Sequence, residues 1–444
     1  MIKETISKYV CCFRSQQFGG LLYNSRNNTF AEVSEVVITA LQKAKERPDL
    51  IKELFSVEER TELRRLKVIV GEKDDDEFLN IQKLQHYISA FNQSQLALTI
   101  APTMDCNFRC VYCYEESKPK VYMAEDTENA IVDFVKAHRL SKEVFLSWYG
   151  GEPLLNFNGM QRLLPKLMSL KDKEIVHESL VTNGYLLNAS KYNFFKEYPI
   201  KEVQITIDGT REVHNKLRLL KNATVGTYDT ILNNIGCFAQ AFPNVNINIR
   251  VHVSPNTIDE FEKVCVEIAD IRRHCPNVRP YPGFISDYKK NCVLLKRQEV
   301  SDFYYNMHKK GVFTTRFFPR LQRGGCCATA LNAYVIDADG CLYKCWVDIG
   351  QKDRAVGTVH GIKTINESLL ADYLVDNSMY EDPECRECTL LPICDGGCTY
   401  RRMHRNKEGA ATDLCTPLKN NLERNLETHY ELKLRNKDEN IVNT

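Results

Sequence analysis

The sequence lacks any run of about 20 apolar residues, the length that a membrane-spanning helix requires. Its first residues, MIKETISKYVCC, are charged and polar where a secretory signal has an apolar core. It also lacks a strong net charge, because basic and acidic residues balance to +1. Nothing in the charge therefore favours nucleic acid or an anionic membrane as a partner. We expect a cytoplasmic protein that works without either.

What the chain contains in quantity is cysteine, with 18 in 444 residues. This share lies below the ~8–10% of disulfide scaffolds, and in a reducing compartment clustered cysteines more often bind metal. Twelve of them lie in two groups, three at 106–113 and nine at 326–415. The clustering predicts metal ligands, and the length predicts two or three folded units.

Residues 1–93 are predicted to form a small α+β unit of winged-helix-like type. Apolar residues around the glycine pair at 19–20 suit a β-hairpin, and Ser56 with Glu59 forms the capping box that opens a helix. The acidic run at 73–77 is predicted to be a solvated turn.

Residues 94–285 alternate short apolar strands with helical stretches, six times in all. This repetition predicts a mainly parallel sheet, closed as a partial (β/α)6 barrel of the TIM type, whose chemistry lies at the carboxyl ends of the strands. Residues 286–325 are predicted to be a helical connector. Residues 326–444 are rich in cysteine and glycine and show little extended periodicity, and they are predicted to form a domain organised by metal more than by an apolar core.

A cysteine motif directly follows the first predicted barrel strand. Cys106-X3-Cys110-X2-Cys113 places three thiolates on one loop. A [4Fe-4S] cubane needs four ligands, so three cysteines leave one iron open to an external ligand. A zinc site with a distant fourth ligand is the alternative. The spacing, Tyr112 before the last cysteine and the strand-loop context favour iron and sulfur.

This motif in its context resembles the radical S-adenosylmethionine (SAM) superfamily, over roughly residues 96–285. The resemblance implies that SAM binds the open iron and is cleaved reductively to a 5′-deoxyadenosyl radical, which abstracts hydrogen from a substrate. It also implies an electron donor such as a ferredoxin or flavodoxin. An electron-transfer protein without radical chemistry is an alternative from another class, and the open three-cysteine site argues against it.

Later strand ends resemble the SAM-contacting segments of the superfamily. The cofactor-binding residues that this implies are Gly150, Gly151, Glu152, Pro153, Asn183, Thr206, Asp208 and Arg218. Arg218 is expected to pair with the SAM carboxylate, although its HNKLR stretch has Asn215 where the family pattern has Asp. A tight turn at Asp208 and a surface position for Arg218 are the structural alternatives.

The second cysteine group resembles the SPASM extension, which carries two auxiliary [4Fe-4S] clusters in radical SAM enzymes that modify peptides. The resemblance assigns one complete cluster to Cys385, Cys388, Cys394 and Cys415. It assigns the other, one ligand short, to Cys327, Cys345 and Cys398. Candidates for the missing ligand are Cys326, Cys292 and Cys341. Otherwise the open iron could bind a substrate thiolate. The expected total is three [4Fe-4S] clusters, and a zinc ribbon is the alternative for this region.

Auxiliary clusters are useful when a reaction removes two electrons net, which favours oxidation of a peptide. Residues 1–93 resemble the RiPP recognition element of peptide maturases, where a leader peptide adds as an extra strand. A stabilising cap is the alternative. The sequence therefore predicts a radical SAM/SPASM maturase that forms a thioether or other crosslink in a ribosomally synthesised precursor peptide.

The runner-up is an anaerobic sulfatase maturase, which oxidises Cys or Ser to formylglycine. These enzymes place an aspartate base directly after the cysteine that corresponds to Cys345. Here that position is Trp346, and Asp348 is displaced from it. The sequence identifies no catalytic base and names neither the precursor nor the residues joined.

Overall fold

The computed structural model describes residues 3–113, 119–222, 224–285, 294–322, 326–409 and 412–442. The chain divides into two compact units, each assembled from separate stretches of sequence. The terminal unit comprises Met1–Phe91, Thr314–Cys326 and Leu374–Thr444. The barrel unit comprises Asn92–Phe313 and Cys327–Tyr373.

In chain order, the strands are β1 (Glu4–Ile6), β2 (Val10–Ser15), β3 (Gly19–Asn24), β4 (Thr29–Val33), β5 (Ile69–Gly71), β6 (Gln95–Ile100), β7 (Glu143–Trp148), β8 (Glu174–Thr182), β9 (Glu202–Ile207), β10 (Asn246–Val253), β11 (Val278–Phe284), β12 (Ala333–Ile336), β13 (Cys341–Tyr343), β14 (Gly357–Thr358) and β15 (Lys363–Thr364). The α-helices are α1 (Glu35–Glu46), α2 (Ile51–Leu54), α3 (Val57–Arg65), α4 (Asp74–Ala90), α5 (Glu125–Ala137), α6 (Phe157–Met168), α7 (Tyr192–Glu197), α8 (Arg211–Leu217), α9 (Tyr228–Ala241), α10 (Glu260–Glu267), α11 (Ala269–His274), α12 (Arg297–Lys309), α13 (Glu367–Ala371), α14 (Pro383–Arg386), α15 (Thr399–Glu408) and α16 (Leu422–Val442). No helix among the described residues has the length and apolar character needed to cross a membrane.

The terminal unit contains an antiparallel sheet, ordered β2-β3-β4, that is apolar on both faces. One face packs on α1 to α3 through residues such as Val10 and Leu22. The opposite face presents Phe13 and Tyr23 to apolar side chains of the 390–393 segment and α16. Because alternate residues of a strand point to opposite faces, both sets can be buried at once. The α+β character predicted for residues 1–93 and the hairpin around residues 19–20 are confirmed.

The acidic run at 73–77 is not a solvated turn, and that prediction is wrong. It is the start of α4, where negative charge favours the helix amino terminus. The carboxylate of Asp75 accepts hydrogen bonds from Ser7 Oγ (2.9 Å) and Lys8 N (2.7 Å), and it pairs with Arg26 (3.3 Å). These partners are distant in sequence, so the local charge pattern could not reveal them.

The barrel unit is built on six parallel strands, β6 to β11, that lie side by side in sequence order. Helices α5 to α11 connect them, with one or two helices between each pair of strands. This arrangement confirms the predicted partial (β/α)6 barrel. The loops that follow the strands therefore lie at one end of the sheet.

The same sheet continues into the cysteine-rich region. β12 pairs in parallel with β6, from Ala333 opposite Ala97 to Ile336 opposite Ile100, and β13 to β15 follow antiparallel. Residues 333–364 thus form four short strands although their sequence shows little extended periodicity. A four-residue strand among cysteines and glycines is too short to show a period of two.

Candidate active site

The loop that carries Cys106, Cys110 and Cys113 begins where β6 ends. Residues 107–111 of this loop run against 217–221, with three backbone hydrogen bonds of 2.8 to 3.1 Å between them. Cys106 is buried, whereas Cys110 and Cys113 are half-buried. All three predicted ligands therefore lie on one braced loop at the carboxyl end of the barrel.

Asp105 fixes the start of this loop. Its carboxylate accepts hydrogen bonds from Cys106 N (2.9 Å), from Lys221 Nζ (2.8 Å) and from the Tyr122 hydroxyl (3.1 Å). Burial raises the pKa of Asp105, but its bonds to Lys221, Cys106 and Tyr122 outweigh burial and hold that pKa below its ordinary value. The ionised carboxylate therefore anchors the loop.

The GGEP segment at the end of β7 packs directly against the cysteine loop. Gly150 has a φ of 106°, which side chains other than glycine rarely tolerate. A Cβ on Gly150 would lie 2.5 Å from the Thr103 carbonyl, and one on Gly151 would lie 2.2 Å from the Asp105 carbonyl. Any larger residue at position 150 or 151 would clash with the backbone of the cysteine loop, so the close packing of the two segments requires glycine at both positions. Pro153 follows in a buried single turn.

Glu152 is fully buried and ties this segment to the end of β8. Its carboxylate accepts hydrogen bonds from Leu154 N (3.1 Å), Thr182 Oγ1 (2.7 Å) and Asn183 N (2.8 Å). The Asn183 side chain in turn donates to Asn107 Oδ1 (2.7 Å) in the cysteine loop. Glu152 and Asn183 therefore hold three strand ends in a single arrangement.

Asp208, after β9, is the centre of a buried polar network. His252 Nδ1 at the end of β10 lies 3.0 Å from Asp208 Oδ1, and Arg218 Nη1 lies 3.9 Å from Oδ2. The Tyr112 hydroxyl donates to Asp208 and accepts from Arg218 Nη1 (2.8 Å). Burial raises the pKa of Asp208, but the charges of His252 and Arg218 hold it well below its ordinary value. Thr206 lies two residues earlier, half-buried on β9.

The HNKLR stretch supports this network from α8. His214 Nδ1 accepts from Asp208 N (3.3 Å), and burial lowers the pKa of His214 to about 3, so its ring is neutral at physiological pH. Asn215 Oδ1 accepts from Thr227 N (2.8 Å) and Tyr228 N (3.1 Å), capping α9. Arg218 is only 7% exposed, so the surface-arginine alternative is wrong.

Asp208→Asn is expected to lower the free energy of unfolding by about 3–5 kcal/mol, because it leaves the buried Arg218 guanidinium without its anionic partner. Denaturant unfolding would measure the loss, and deoxyadenosine formation should fall with it. Asn215→Asp is the matched control. It restores the family pattern and keeps the acceptor for α9, so stability and activity should stay at the wild-type level.

Two buried donors near the cysteine loop bear on whether a cofactor fits. Asn107 Nδ2 and Arg218 Nε have no hydrogen-bond partner within the described ranges. Such donors suit an anionic ligand beside three cysteines, and the SAM carboxylate has that chemistry. The residues fit a cluster with SAM.

The predicted auxiliary ligands occur in both units. The terminal unit contains Cys385 on α14, Cys388 and Cys394 after it, Cys398 before α15 and Cys415 before α16, all half-buried. The barrel unit contains Cys327, which is exposed, and Cys345, which is half-buried. Of the candidate fourth ligands, Cys326 is exposed, Cys341 is half-buried on β13, and Cys292 lies outside the described residues.

Sequence reasoning missed His252, and it noted Tyr112 only as an aromatic neighbour of the last cysteine. His252 could have been found, because it lies at the carboxyl end of a predicted barrel strand. Its pairing with Asp208 across two strands required the register, in which Arg250 of β10 lies opposite Thr206 of β9.

The parallel barrel, its cysteine loop and the hydrogen-bonded strand ends form a candidate cofactor-binding site at one end of the sheet. Residues 100–268 match the family model described as the Radical SAM superfamily, so this part of the chain is a radical SAM domain. A [4Fe-4S] cluster and SAM are therefore cofactors of this enzyme.

Two curated relatives and one solved structure are similar to the chain. A cysteine-type anaerobic sulfatase-maturating enzyme of Clostridium novyi is 26% identical over 356 residues, covering 70% of this chain and 89% of that enzyme. The radical SAM cyclopropyl synthase TigE of Paramaledivibacter caminithermalis is 24% identical, covering 58% of this chain and 65% of that protein. The structure of native anSMEcpe with bound AdoMet has a TM-score of 0.58 at 22% identity, covering 78% of this chain and all of that one, which supports the fold.

Proposed function

We propose that this enzyme oxidatively modifies a ribosomally synthesised precursor peptide, forming a thioether or another crosslink. Cys106, Cys110 and Cys113 would hold the cluster that binds SAM. One auxiliary cluster would be held by Cys385, Cys388, Cys394 and Cys415. The other would be held by Cys327, Cys345 and Cys398. When bound, SAM and its cluster supply the radical that takes hydrogen from the peptide. A ferredoxin or flavodoxin would supply the electron.

The observation that carries this proposal is the state of Asp348, the carboxylate nearest in sequence to position 346, where a sulfatase maturase has its base. Asp348 is fully buried, and it accepts hydrogen bonds from Arg354 Nε (3.0 Å) and the Tyr373 hydroxyl (2.6 Å). A carboxylate held by these two donors is poorly placed to take a proton from a substrate. The base position itself is Trp346, whose ring packs on Tyr149 with centroids 4.5 Å apart.

The terminal unit supports the same proposal from its fold. Its three-stranded sheet ends in two edge strands, β2 and β4, and an edge strand can accept an extended peptide as an additional strand. Residues 1–93 would bind the leader of the precursor, 94–285 would form the radical SAM barrel, 286–325 a connector and 326–444 the SPASM domain.

Formylglycine generation is the second candidate, because the sulfatase-maturating relative covers most of this chain. The two reactions leave different atoms in the product. A thioether crosslink removes two hydrogen atoms and keeps every sulfur, whereas formylglycine formed from cysteine replaces the sulfur with a carbonyl oxygen.

Mass spectrometry of two probes separates the candidates. The reduced, reconstituted enzyme with SAM is given a cysteine-type sulfatase peptide and, separately, any short cysteine-containing peptides that its gene neighbourhood encodes. We expect loss of two hydrogens in one of the latter, and formylglycine in the former would transfer the assignment to the second candidate. Asp348→Asn is compared with the wild type at equal iron content, because the change also removes the anionic partner of Arg354, and under that condition it should leave crosslinking intact.

A further inference from the structure

Three of the four cysteines assigned to the complete auxiliary cluster accept a hydrogen bond at sulfur. Arg402 Nη2 lies 3.6 Å from Cys385 Sγ, and Gly396 N lies 3.4 Å from Cys394 Sγ. Lys419 Nζ lies 3.3 Å from Cys415 Sγ. Two of these donors are cationic side chains, and all of them belong to the terminal unit.

Arg402 is held firmly in this position. It is 2% exposed, and the same Nη2 that reaches Cys385 also donates to the Gly396 carbonyl (2.7 Å). Its Nη1 donates to Asp382, which also accepts from Cys385 N (3.3 Å) at the start of α14. Asp382 therefore orients both the arginine and the cysteine backbone.

A buried arginine is costly unless it is paired and hydrogen-bonded, and Asp382 supplies the pairing. Asp382 also accepts from Arg405 Nη2, whose side chain is 31% exposed. One negative carboxylate is thus shared by two positive guanidinium groups, and the group of three keeps a net positive charge. Arg402 presents this charge to Cys385. Lys419, half-buried in the loop before α16, adds a second positive charge at Cys415.

We propose that Arg402 and Lys419 are positioning residues that raise the reduction potential of the cluster held by Cys385, Cys388, Cys394 and Cys415. Reduction adds a negative charge to a group that already carries four thiolates. Cationic N–H donors at the sulfurs stabilise that reduced form more than the oxidised form. The inference rests on the ligand set of the proposed function. A higher potential would suit a cluster that accepts an electron from the peptide radical left after hydrogen abstraction, which completes the two-electron oxidation.

The test uses the full chain with Cys106, Cys110 and Cys113 changed to Ala, so that the auxiliary clusters are observed alone. Each protein is reconstituted with iron and sulfide, its iron is counted, and a mediated redox titration is followed by electron paramagnetic resonance. We expect one midpoint potential to shift to a lower value in Lys419→Met and in Arg402→Gln. Lys433→Met, an exposed change on α16, should leave it in place.

Each outcome decides a separate question. An unchanged midpoint in Lys419→Met at full iron content would overturn the inference and leave the proposed function standing. If Arg402→Gln fails to assemble, Lys419→Met still decides, because Lys419 lies in a loop and has no part in the buried Asp382 pair. If the background protein binds no iron at all, the auxiliary ligand set fails, and the inference fails with it.

Discussion

Changing Cys106, Cys110 and Cys113 together to alanine is expected to abolish 5′-deoxyadenosine formation and to lower the iron content from about twelve to about eight per chain. All three thiols lie on one loop at the barrel mouth, so their removal should eliminate one cubane and leave the auxiliary sites intact. Anaerobic reconstitution, iron and sulfide analysis, and product chromatography after dithionite reduction would measure both effects.

Cys237→Ala is the matched control for this experiment, because Cys237 is an exposed cysteine of the same unit on α9. It should keep both the iron and the activity. About four irons in the unmodified chain, all lost in the triple variant, would mean that the carboxy-terminal cysteines serve another purpose. The argument for peptide oxidation would then lose its basis.

The barrel and its cysteine loop could be predicted because each depends on a local pattern. Short apolar strands alternated with helices, and the CX3CX2C motif followed one of those strands directly. The resemblance of later strand ends to segments of the radical SAM superfamily then indicated Glu152, Asn183 and Asp208, and the structure brings all three to the same end of the sheet. For these residues, the local pattern and the topology were sufficient only together with that resemblance.

What could not be predicted depends on partners far apart in sequence. The Asp208 network joins the cysteine loop, β10 and α8 through Tyr112, His252 and Arg218. The carboxylate of Asp75 accepts hydrogen bonds from Ser7 and Lys8, although its charge pattern suggested a solvated position. In both cases the sequence showed a charge of one sign but gave no information on what would neutralise it after folding.

Removal of residues 1–91 is expected to abolish peptide binding and also to destabilise the complete auxiliary cluster. Phe13, Leu21 and Tyr23 cover Ile393 and Leu426 in one apolar cluster, and Tyr9 covers Leu391 in another. Each large apolar side chain that becomes exposed to water loses about 1.5–3 kcal/mol of stabilising free energy. The uncovered segments carry Cys388 and Cys394, so the truncated chain should lose the irons of the complete auxiliary cluster while its separate barrel unit still cleaves SAM.

A single substitution in the full chain tests the same idea more gently. Leu21 is fully buried in this cluster, and Leu21→Asp places a charge there, so it should destabilise the chain by several kcal/mol and lower its iron content. Val36→Asp on α1 should do neither, because Val36 is 77% exposed. Full iron content in both Leu21→Asp and the truncated chain would contradict the shared core and make residues 1–91 a detachable recognition domain. Loss of iron in both Leu21→Asp and the truncated chain would mean that the region proposed to bind the leader also stabilises the fold around an auxiliary cluster.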